Sequence, residues 1–163
     1  MIRRRVMLTG PISLTWMDSR ASAAVDRILM VQAQAFAAKP STRVATLLTR
    51  PTTLFVEGFF RESIAVSCLV MEVALTERVS DSQAQAALGL PSVDDLTLKR
   101  RIDAARSLGV CSVTAHAQAQ KLRLRGDDAV HWATKPEADE DGAYAALRLL
   151  RNVLEEICKV ETG

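Results

Sequence analysis

The sequence predicts an all-α fold, an antiparallel up-and-down helical bundle of about five helices. Three observations carry this. Apolar residues recur at three- and four-residue spacing along most of the chain, the period of a helix and not of a strand. Ser, Asp and Gly stand where such segments start and stop. No two alternating segments are joined by a tight-turn dipeptide, so no hairpin is marked.

Taken in order, residues 1–17 read as an irregular N-terminal arm broken at Gly10-Pro11. The arm opens Met1-Ile-Arg-Arg-Arg-Val-Met-Leu, but the apolar stretch behind the arginines is too short for a signal peptide. Asp18 or Ser19 caps a first helix through about Lys39, with Val25, Ile28, Leu29, Val31 and Phe36 as its apolar positions. Pro40 and Pro51 bracket a connection that holds the short apolar piece Val44 to Leu48. A second helix runs from about Thr53 to Val79. From Ile64 to Leu75 it is apolar on nearly every side, as the central helix of a bundle is.

A polar link follows, with a short helix at Ser82–Leu88 closed by Gly89 and Pro91. Ser92 caps a third helix carrying Leu96, Leu98, Ile102, Ala105 and Leu108, and Gly109 stops it. A fourth runs from about Ser112 to Arg125. Gly126 interrupts it, Asp127 or Asp128 caps a last turn through Trp132, and Pro136 ends that turn. The final helix covers about Asp139 to Lys159, with the stripe Tyr144, Leu147, Leu150, Val153, Leu154 and Ile157.

Composition narrows the function classes. At 163 residues the chain is expected to be a single domain, long enough to bury a core without metals or disulfides. The 48% apolar content excludes a disordered tail, and 4% aromatic residues argue against a base-stacking platform. A net charge of +2 does not by itself mark a nucleic-acid binder, so any basic surface has to be local. The three cysteines, Cys68, Cys111 and Cys158, have no close pair; neither a disulfide framework nor a zinc knuckle is expected, and a reducing cytoplasm suits them. The most apolar run contains Glu72 and is shorter than a membrane span, so no membrane association is expected.

The chemistry-bearing feature is Arg125-Gly-Asp-Asp-Ala-Val-His131. His is the side chain best suited to proton transfer near neutral pH. Arg forks onto phosphate oxygens and keeps its charge. On one unbroken helix their six-residue separation would turn the two side chains roughly 120° apart. A break at Gly126 lets the chain re-aim, so that Arg125, Asp128 and His131 converge.

This segment resembles the Arg-x(4–6)-His signature of the HEPN superfamily (higher eukaryotes and prokaryotes nucleotide-binding). Ala65 through Leu75, with Met71-Glu72, resembles the long central helix of a prokaryotic branch of that superfamily. Leu96 to Gly109 resembles the branch's next helix, and Gly126-Asp-Asp-Ala-Val-His131 its Gly-Asn-x-Ala-x-His element. The likeness spans about residues 55–158. The chain departs from the pattern at Asp127 and at the apolar Cys68-Leu69 stretch, where members often carry Arg. The resemblance implies a helical bundle that pairs as a homodimer, a pairing that the apolar surplus on several helices also favours. It further implies metal-independent RNA cleavage in active members, of toxin or defence type, with no cofactor. By it, His131 is the acid/base and Arg125 the phosphate binder. Asp127 and Asp128 orient them, Glu72 gives polar support, and Lys121 and Arg123 touch the RNA backbone.

A purely structural reading stands beside this one. Arg125 then bridges Asp127 or Asp128, and His131 bonds Glu72 or a backbone carbonyl. His116 has no role, Lys99-Arg100-Arg101 is a solvated helix face, and Trp132 anchors the core. Three functions follow: an endoribonuclease, a silent HEPN-like domain that dimerises or binds a partner such as an antitoxin, and a nucleotide-binding module without turnover.

Overall fold

The computed structural model describes residues 14–32, 39–131 and 138–159. Among them are seven α-helices: α1 (Leu14–Gln32), α2 (Thr42–Glu57), α3 (Phe60–Arg78), α4 (Asp81–Leu88), α5 (Leu98–Ser107), α6 (Val113–Val130) and α7 (Glu140–Ile157), with a 3-10 turn at Val93–Asp95 and no strand. The all-helical architecture is the one the apolar spacing predicts, with two more α-helices than the roughly five expected.

The extra count comes from α2 and from the short α4, read as part of a polar link. The apolar piece at Val44 is the start of a helix, not part of a connection. Ser41 caps it, accepting the Val44 N–H at 3.2 Å. The helix runs on through Pro51, which is buried with Val44 and Phe55 on its inner face. It then stops at Gly58, whose φ of +86° only glycine adopts readily. The single helix expected from Thr53 to Val79 is therefore two. Ser63, buried at the start of α3, donates to the Pro51 carbonyl at 2.8 Å and ties the two together.

α3 is the central helix, as its apolar girth predicts. It packs on α2, α6 and α7, and more lightly on α5. Phe55, Met71, Leu75, Ile102, Leu122, Leu150, Leu154 and Ile157 are fully buried in the shared core. The α7 stripe is as read: Leu147, Leu150, Val153, Leu154 and Ile157 are buried, and Tyr144 stacks on Phe55 with ring centroids 5.9 Å apart. Ser92 caps only the 3-10 turn; Thr97 is the cap of α5, accepting the Arg100 N–H at 3.3 Å. Arg101 is not on a solvated face. It is buried, and donates to the Val79 carbonyl at 3.0 Å and to Asp81 at 2.7 Å, joining the end of α3 to the start of α4.

α1 begins at Leu14, inside the stretch read as an irregular arm. It is clamped through Arg27, which donates to the Val56 carbonyl at 3.0 Å and to Glu140 at 3.2 Å and lies over the Phe60 ring. The Gly10-Pro11 break, Phe36, Trp132 and Pro136 lie outside the described residues. No described helix is long and apolar enough to cross a membrane.

Candidate functional site

The segment from Arg125 to His131 closes α6, and the expected break is absent. The helix runs without interruption from Val113 to Val130. Gly126 keeps a negative φ and is buried within it. Its role is close approach. A Cβ built at Gly126 would stand 2.6 Å from Cys68 Cβ and 2.7 Å from its Sγ, nearer than atoms can pack. Glycine is there so that α6 can lie against α3 at Cys68.

An unbroken helix keeps Arg125 and His131 roughly 120° apart around its axis. Arg125 turns toward α7 and donates to the Gly142 carbonyl at 3.2 Å. His131 is the C-terminal cap of α6; its backbone N–H donates to the Asp127 backbone carbonyl at 3.1 Å, and the residue is exposed. Asp127 does not serve Arg125. It is ion-paired with Arg123, one helical turn earlier. Arg123 in turn donates to Gln120 at 3.1 Å, so its guanidinium is already engaged. Asp128 and Lys121 are exposed. Glu72 is exposed as well, on the flank of α3, and is not a buried support behind His131.

Glu72 and Asp127 nevertheless share a neighbour. Burial, then the charges of Asp127 and Glu72, push the Cys68 thiol up to about 11, against a smaller opposing effect of Arg123. Cys68 is therefore a protonated packing residue, not a nucleophile. Among the described residues no cluster of three or more His, Cys, Asp or Glu side chains is arranged to hold a metal.

Two residues that sequence reasoning passed over matter here. Arg61, at the start of α3, donates to the Ala129 carbonyl at 3.4 Å and so braces the end of α6 two residues before His131. It also lines a cavity of about 540 Å³ with Phe59, Glu62, Asp139 and Glu140. Nothing in the sequence marks Arg61 apart from its place at a helix start. His116, read as idle, has its Nε2 2.8 Å from Asp103 Oδ1, and Gln120 donates to the same oxygen at 2.9 Å; together they fasten α6 to α5.

Compared with protein-family models, with curated proteins and with solved structures, the chain matches none.

Proposed function

We propose that this chain is a catalytically inactive helical domain of HEPN-like type that docks onto a partner, in the first place a second copy of itself. The observation that carries the reading is the unbroken α6. It sends Arg125 to the Gly142 carbonyl and leaves His131 exposed on another side of the helix. A ribonuclease built on this pair needs the guanidinium at a phosphate, opposite the imidazole. Here the guanidinium serves as a strut between α6 and α7. Cleavage of RNA would require Arg125 to leave that carbonyl and α6 to re-aim its last turn.

Exposed apolar side chains support docking. Leu69 is 50% exposed and Val130 62% exposed, on the two helices that meet at Cys68 and Gly126. Sedimentation equilibrium tests the reading. The wild-type chain is expected to sediment as a dimer, and Leu69→Glu to shift it toward monomer while helical content is retained. A wild-type monomer at all accessible concentrations overturns self-association. RNA cleaved without added metal overturns inactivity.

A further inference from the structure

α2 and α3 lie side by side and antiparallel. At one end the Ser41 hydroxyl donates to Glu77 at 2.6 Å, and at the other Ser63 donates to the Pro51 carbonyl at 2.8 Å. α6 lies on the far flank of α3, also antiparallel to it, held where Gly126 meets Cys68 and where Arg61 reaches the Ala129 carbonyl. The outer surface of this layer is apolar along its middle. Leu47 and Leu54 on α2 and Val66 and Val73 on α3 are half-buried, and Leu69 between them is 50% exposed. On each helix these positions recur at helical spacing, which keeps them in one strip.

Charges border the strip in a fixed order. Arg43, Arg50 and Glu57 are exposed and recur every seventh residue, so they share one edge of α2. α1 does not cover that edge; it reaches α2 on the other side, at Leu48, Thr52 and Val56. The opposite border, where α3 meets α6, holds Glu72 and Asp127, both exposed, and the half-buried Arg61. Glu72 and Asp127 both act on the Cys68 thiol at that junction. The antiparallel courses of the three helices set the levels: Arg43 is about level with Glu72, Arg50 with Asp127 and Glu57 with Arg61. Along one direction, the α2 border therefore runs plus, plus, minus, and the α6 border minus, minus, plus.

We propose that two copies of this chain pair through the α2–α3 strip about a two-fold axis that runs along the helices, with Leu69 against the partner's Leu69 and the α2 border of each copy over the α6 border of the other. The pairing rests on the self-association proposed above and adds its surface and its orientation. An axis along the helices keeps the levels and exchanges the borders. Arg43 then meets the partner's Glu72, Arg50 the partner's Asp127 and Glu57 the partner's Arg61, each contact occurring twice. A carboxylate accepts several donors, so Asp127 keeps Arg123 as well. An axis across the helices would lay each border on its own kind and set Arg43 against the partner's Arg50, which like-charge repulsion disfavours.

Sedimentation equilibrium of the full chain at low salt, with Arg43→Glu and Glu72→Arg made separately, tests this. Both residues are exposed, so circular dichroism should show both variants folded. Each variant alone sets like charges together at two symmetric contacts, and its dimer dissociation constant should rise about tenfold or more. An equimolar mixture of the two variants restores opposite charges at both contacts and should form a heterodimer about as tight as the wild-type dimer. Arg50→Glu mixed with Asp127→Arg gives the same test, should either of the first two variants fail to fold. Lys121→Glu, on α6 away from the strip, should leave the wild-type constant unchanged. Dimers that tolerate both reversals, or weakened variants that do not recover on mixing, overturn this pairing and leave self-association standing. A wild-type chain that is monomeric at all accessible concentrations overturns both.

Discussion

Gly126 on α6 and Cys68 on α3 meet so closely that a methyl group at position 126 would stand 2.6 Å from the Cys68 Cβ. This contact, and not a hinge, is the reason for glycine in the candidate site. It lets α6 lie close against α3, while the unbroken course of α6 sets where Arg125 and His131 point.

Gly126→Ala should therefore destabilise the fold. Overpacking of this kind costs up to about 3 kcal/mol, and Ala returns about 1 kcal/mol through helix propensity, for a net loss near 2 kcal/mol. Cys68→Gly removes the opposing Cβ, so in the double variant the loss should be smaller than the sum of the single losses. Urea denaturation of the three variants measures both. A hinge glycine predicts the opposite for Gly126→Ala, little change or a gain.

Arg125→Ala should lose about 1–2 kcal/mol with its bond to the Gly142 carbonyl, and Arg125→Lys should recover part of it. His131→Ala, at an exposed cap, should stay within about 0.5 kcal/mol of wild type. Equal effects of the two alanine variants on stability would argue against a strut role for Arg125 alone.

The Cys68 thiol, pushed up to about 11, gives a pH dependence of known sign. The folded state holds this proton more tightly than the unfolded chain does, where a thiol titrates near its ordinary value of about 8.5. The stabilisation is thus fully present below that ordinary value and is lost as pH rises through about 11. Cys68→Ala should flatten the alkaline end of the stability profile. Alkylation of Cys68 in the native protein at neutral pH should be slow, and Asp127→Asn should quicken it more than Glu72→Gln, because Asp127 is the larger of the two charge effects.

Arg101→Ala should cost about 3 kcal/mol, because it leaves the Val79 carbonyl and Asp81 without their buried donor. Asp81→Asn should cost less, since Asp81 is half-exposed and Arg101 keeps the carbonyl. Thermal unfolding followed by circular dichroism ranks the two; the reverse order would mean that the ion pair, and not the bond to the α3 terminus, is what holds this junction.

The sequence made some of this plain and hid the rest for physical reasons. The α7 stripe and the apolar girth of α3 are visible because burial writes its period directly into residue type. Gly58 and Gly126 look alike in the sequence, each a glycine inside a helical pattern. One takes φ +86° and ends a helix; the other stays helical, because what it answers to is a side chain on another helix. Pro51 reads as a helix boundary but is held inside α2 by packing and by the Ser63 bond to its carbonyl. Arg101 sits in a run of three cations whose neighbours are exposed, and only its bond to Val79 sets it apart. Of the candidate site, the residues were legible and their orientation was not, since the orientation depends on whether α6 breaks.

The most direct test of that orientation is incubation of the purified wild-type chain with single-stranded RNA in chelator, resolved on a denaturing gel. With Arg125 on the Gly142 carbonyl and α6 unbroken, the RNA is expected to remain intact. Cleavage products that both Arg125→Ala and His131→Ala abolish, with either variant still folded, would contradict the account.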